Sequence, residues 1–108
     1  MANTYKSLGQ QAPSATTETT LYTVPGATSA IVSSLVVCNR STSATFRVSV
    51  AVGGGATANK DYLYYDATID ANYSIALTLG LTLAATDKVK VYASSANLSF
   101  NLFGTEVT

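Results

Sequence analysis

The chain has 108 residues, 47% of them hydrophobic and only 11% charged, and its six basic and six acidic side chains leave no net charge. That length suits one domain around one core, the dispersed charge leaves no electrostatic footprint for nucleic acid or anionic lipid, and no apolar run approaches the roughly 18 residues of a membrane span. Histidine is absent and Cys38 is the only cysteine, which excludes histidine-based nucleophile systems, the usual zinc sites and an internal disulfide.

In chain order, the start Met1-Ala2-Asn3-Thr4-Tyr5-Lys6-Ser7 has no charged-then-apolar layout, so an unprocessed product made in the cytoplasm is expected. Residues 1–20 show no sustained period and contain Gly9, Pro13 and a polar run from Ser14 to Thr20; they read as an N-terminal arm, with residues 21–108 forming the folded domain. Leu21-Tyr22-Thr23-Val24 is the first predicted strand, closed by Pro25-Gly26 at the centre of a type II turn. A second runs from Ala30 to Asn39 with both faces largely apolar, and Cys38 within it packs as a small hydrophobe. Phe46, Val48, Val50 and Val52 then alternate with Thr45, Arg47, Ser49 and Ala51, which buries one face and turns Arg47 outward.

Gly53-Gly54-Gly55 makes a loop before the aromatic strand Tyr62-Leu63-Tyr64-Tyr65, and Asp66 to Asn72 reads as another loop. Alternation resumes at Ile75, Leu77 and Leu79, again at Val89 and Val91 after the turn residues 84–87, and last at Leu98, Phe100 and Leu102. Seven short strands with turn signals between them predict an all-β antiparallel sandwich, immunoglobulin-like or jelly-roll-like. Its expected core is Ile31, Leu35, Val37, Phe46, Val48, Val50, Leu77, Leu79, Val89, Val91, Phe100 and Leu102.

No catalytic, cofactor-binding or metal-binding constellation emerges. Asp61, Asp66 and Asp70 lie close in sequence, yet the segment around them reads as solvated turn and lacks the spacing of a looped calcium site. The triple glycine has no Gly-Lys-Ser/Thr behind it and so is no phosphate cradle. Asn-x-Ser/Thr triplets at Asn39, Asn72 and Asn97 carry little weight where 28 of 108 residues are Ser or Thr. Tyr62, Tyr64 and Tyr65 are the most suggestive group, since tyrosine offers apolar area with a polar tip; they suit core packing, a protein interface or stacking on a sugar. With Tyr5, Leu8, Gln10 and Pro13 of the arm they form the candidate interface set. Scarce charge and few surface lysines leave strand edges poorly guarded, which favours an assembled protein.

Three segments resemble, in their order and spacing, a family of small virion structural proteins of tailed bacteriophages, notably phages of cyanobacteria and marine bacteria. They are Tyr5 to Pro13, then Leu21-Tyr22-Thr23-Val24-Pro25-Gly26-Ala27-Thr28 running into Ser34-Leu35-Val36-Val37-Cys38-Asn39, and the terminal Phe103-Gly104-Thr105-Glu106-Val107-Thr108. The resemblance implies a non-enzymatic capsid decoration (cement) protein bound to the outer shell as a homo-oligomer, a trimer being favoured, or else a component of the tail, baseplate or fibre. The expected partner is the major capsid protein or another virion protein, with neither nucleic acid nor membrane involved, and the expected location is the virion. A host-surface carbohydrate-binding module is the alternative that the tyrosines suggest.

Overall fold

Nine strands, against the seven expected, form in a computed structural model that describes residues 2–108. They are β1 (Asn3–Gln11), β2 (Thr19–Thr23), β3 (Ser29–Asn39), β4 (Ala44–Ala51), β5 (Tyr62–Ile69), β6 (Ser74–Leu77), β7 (Leu81–Leu83), β8 (Lys88–Ala93) and β9 (Leu98–Val107). One sheet has the order β1-β9-β3-β6, with β7 also on β3; the other has the order β2-β8-β4-β5. Every pairing is antiparallel. Taking β6 and β7 as one interrupted strand gives eight strand positions wound as a jelly roll, which settles the choice between the two expected sandwiches.

The first and last strands are neighbours, and this corrects the reading of residues 1–20 as an arm. β1 pairs with β9 along its whole length, from Asn3↔Val107 to Gln11↔Phe100. Its residues are exposed apart from Leu8 and the half-buried Gly9, so the period-two signal that marks a half-buried strand is missing from the sequence. Only Leu8 turns into the core, and beyond the strand Pro13 is buried as well.

The core lies between the two inner faces and includes Leu35, Val37, Phe46, Val48, Ile69, Val89, Val91, Leu98, Phe100 and Leu102, all nearly inaccessible to solvent. Each such side chain contributes about 1.5–3 kcal/mol of apolar burial. Val50, Leu77 and Leu79 pack against this cluster from its margin. Ile31, expected inside, is 49% exposed, while Ala30 and Val32 are buried in its place. The cause is a bulge: the register on β9 steps from Val32↔Gly104 to Ser34↔Phe103, leaving Ser33 unpaired and reversing the parity of the strand.

That bulge has neighbours on both sides. On β1 the register steps from Ser7↔Phe103 to Gly9↔Leu102, so Leu8 is the extra residue. On the far side Leu77 pairs with Leu35 and Leu81 with Val32, so the break between β6 and β7 falls opposite Ser33. A crease therefore crosses the whole sheet, and it passes Gly104, where an added Cβ would collide with the Ile31 carbonyl oxygen and crowd Leu8.

Two further expectations are revised locally. The turn after β2 is displaced by one residue, since Ala27 rather than Gly26 takes positive φ (55°) and the Thr28 hydroxyl donates to the Gly26 carbonyl at 3.1 Å. Asp66 to Ile69, read as loop, continue β5. The triple glycine does form a loop, where Gly53 and Gly54 adopt φ of 76° and 77° and the Gly53 N–H donates to Asp87 at 2.8 Å.

Candidate functional surfaces

The outer face of the β2-β8-β4-β5 sheet carries an arginine held between aromatic rings. Arg47 projects outward from β4 because its neighbours Phe46 and Val48 project inward. Tyr92 is its register partner on β8. On β5 the register steps from Phe46↔Ala67 to Val48↔Tyr64, so two residues, Tyr65 and Asp66, stand opposite Arg47 alone. Asp66 takes φ of 52°, a conformation that aspartate tolerates better than most residues.

This bulge assembles the group. The Arg47 guanidinium lies 4.2 Å from the centroid of Tyr65 and 4.3 Å from that of Tyr92, and Arg47 Nε donates to Asp66 Oδ1 at 2.7 Å. The Asp66 carboxylate, by accepting that bond, raises the Arg47 pKa further above its ordinary value. Tyr62 meets Tyr65 edge to face with centroids 4.8 Å apart. Strict alternation places Tyr62 opposite Tyr65, but a second register shift between Tyr64 and Tyr62 brings both to the outer face. Tyr64 turns inward onto Phe46 at 6.0 Å, so of the three tyrosines it serves the core. Tyr65 remains 58% exposed. The sequence signal that could have located the cluster is Asp66, a residue suited to positive φ within an otherwise β-forming run.

The outer face of the other sheet presents an apolar group. Tyr5 (79% exposed), Ile31 (49%) and Phe103 (37%) lie on adjacent strands. Tyr5 and Ile31 flank Thr105 in one row, and Phe103 pairs with Ser7 and Ser34 in the next. Farther along, Gln10 Nε2 donates to Asn101 Oδ1 at 2.7 Å beside an open recess of about 350 Å³ lined by Gln10, Gln11, Ala12, Ser99, Phe100 and Asn101. Of the interface residues expected from the first strand, Tyr5 and Gln10 are therefore on the surface. Leu8 and Pro13 are not: the bulge turns Leu8 into this chain's own core, and Pro13 is buried beyond the end of β1.

The carboxylates are dispersed. Asp61 accepts from the Ala58 N–H at 2.9 Å and from Lys60 at 2.9 Å, which hold its pKa below the usual carboxylate range. Asp66 pairs with Arg47, and Asp70 is exposed. Among the described residues no three His, Cys, Asp or Glu side chains are grouped to hold a metal ion. Of the Asn-x-Ser/Thr triplets, Asn39 is buried and its amide donates to the carbonyls of Thr42, Ile69 and Asp70, tying the β3–β4 loop to the end of β5. Comparison with protein-family models, with curated proteins and with solved structures gave no match.

Proposed function

We propose that this chain is a non-enzymatic structural protein of a tailed-phage virion, and that it decorates the outer capsid shell as a homo-oligomer. The observation that carries the reading is the apolar group Tyr5, Ile31 and Phe103, displayed on the outer face of one jelly-roll sheet in a chain with little charge. Burying these three against a partner would contribute on the order of 1 kcal/mol each, and the scarcity of charge lowers the cost of desolvating the surface around them. The resemblance of the first, second and last segments to small phage virion proteins supports the same reading. Two of those segments, β1 and β9, are paired strands that supply Tyr5 and Phe103.

Co-sedimentation of the purified chain with shells that lack it tests the proposal. Saturable binding that falls at least tenfold in an Ile31→Asp, Phe103→Asp variant is expected. A chain that never pellets with shells, but does with isolated tails, would move the assignment to the tail.

A second reading rests on the exposed Tyr65 ring beside the Arg47–Asp66 pair, a combination of stacking surface and hydrogen-bonding groups suited to a sugar. It requires the isolated domain to bind host surface polysaccharide in calorimetry and Tyr65→Ala to abolish that binding.

A further inference from the structure

Each sheet of the jelly roll has two edges, and three of the four are blunted. β2 is five residues long and carries a register shift between Thr20 and Tyr22. β5 has two shifts and the positive-φ residue Asp66. The β6/β7 edge is broken by residues 78–80, with Gly80 at φ of 59°. Short strands, bulges and breaks of this kind prevent edge-to-edge pairing.

The fourth edge is different. From Asn3 to Ser7, β1 runs without a bulge or proline, and all five residues are exposed. Its one charge, Lys6, is the usual type of edge guard, but Lys6 Nζ is drawn to Glu106 Oε1 at 3.0 Å in the same chain. The backbone groups of Ala2 and Thr108 exchange hydrogen bonds of 2.9 Å in both directions. Because hydrogen-bonded and non-hydrogen-bonded pairs alternate along an antiparallel ladder, Thr4 and Lys6 also point their backbone groups at β9, and Asn3, Tyr5 and Ser7 point theirs outward.

We infer that this edge pairs with the same edge of a second copy of the chain, antiparallel and about a two-fold axis at Tyr5. Tyr5 then opposes Tyr5 of the second copy, and Asn3 opposes Ser7 in both directions, for about six backbone hydrogen bonds. The contact is self-complementary, as a two-fold interface must be. Neither copy opposes a like charge, since Thr4 faces Lys6 and each Lys6 is neutralised by its own Glu106. The two jelly rolls share one continuous sheet, and their Tyr5 and Ile31 side chains merge into a single apolar band across the axis. The proposed assembly is a two-fold dimer, whereas the resemblance favours a trimer. It is measured on the free chain, so it stands or falls independently of shell binding.

The test combines sedimentation velocity with cross-linking. The full chain sediments as a dimer at micromolar concentration, and Tyr5→Pro, which removes an outward N–H that β9 does not use, sediments as a folded monomer. Tyr5→Lys, which places two ammonium groups face to face, loses the dimer as well and covers the case in which the proline variant does not fold. In a Cys38→Ser background, Tyr5→Cys oxidises to a covalent dimer, because directly opposed hydrogen-bonded residues lie about 5.5 Å apart. Asn3→Cys, which has no cysteine opposite it, does not. A monomeric or trimeric parent chain, a dimer that survives Tyr5→Lys, or equal cross-linking of the Asn3→Cys chain would overturn the inference.

Discussion

Glu106 is the residue on which the pH response of this protein turns. It is buried at one end of the sandwich, where the Tyr22 hydroxyl donates to Oε2 at 2.5 Å and Lys6 approaches Oε1 at 3.0 Å. Those two partners, Tyr22 first, hold the Glu106 carboxyl below the usual carboxylate range. Burial, and then the bond to Glu106, push the Tyr22 hydroxyl well above the ordinary range of tyrosine. A depressed carboxyl contributes stability that is complete above its unfolded value, about 4.3, and is lost as pH falls through the folded value. Asp61, lowered by its bonds to Ala58 and Lys60, adds to the same acid limb. A raised phenol contributes stability that is complete below its unfolded value, about 10, and is lost as pH rises beyond it. Melting temperature should therefore be flat from about pH 5 to 9 and fall on both sides. Tyr22→Phe should lower stability by about 1–3 kcal/mol in urea melts and remove its share of the alkaline limb. At the centre of the core, Val48→Asp should prevent folding altogether, because an unpaired buried carboxylate costs several kcal/mol in a domain of about 5–15. Circular dichroism of that variant matching the parent would refute the assignment of Val48 to the core.

The strands of the inner sheet faces were legible as elements because alternation is the direct imprint of a half-buried sheet. Leu35, Val37, Phe46, Val48, Val89, Val91, Phe100 and Leu102 all lie on the parity the sequence predicts. What alternation cannot carry is a change of parity. Ser33 and Leu8 each insert one residue, so Ile31 exchanged places with Ala30 and Val32, and Leu8 entered the core from a strand that otherwise reads as polar. Tyr62 and Tyr65 came together for the same reason, and the partners of Arg47 were hidden with them. The composition of β1 hid the strand itself, because Leu8 is its single buried side chain and one apolar residue makes no period. Deleting residues 2–11 should now unfold the protein rather than trim it, since it strips the full length of β9 and removes Leu8; loss of the β-sheet circular dichroism signal checks this. Gly104→Ala should lower the urea midpoint by an amount equivalent to about 1–3 kcal/mol, because the Ile31 carbonyl leaves no room for a methyl group.

At the scale of the whole molecule, the two outer faces divide the labour between them. One holds its polar and aromatic groups against each other, with Arg47 stacked and paired, while the other leaves Tyr5, Ile31 and Phe103 facing solvent. Neither surface could be seen as a unit in the sequence, since the paired strands β1 and β9 come from opposite ends of the chain. The crease that sets which residues reach the open face also divides that sheet in time. A bulge leaves its extra residue outside the ladder, and amides outside a ladder exchange with solvent through small local openings rather than global unfolding. Deuterium should therefore enter first along a narrow line through Leu8, Ser33 and residues 78–80, with slowly exchanging amides of β9 and β3 on either side of it.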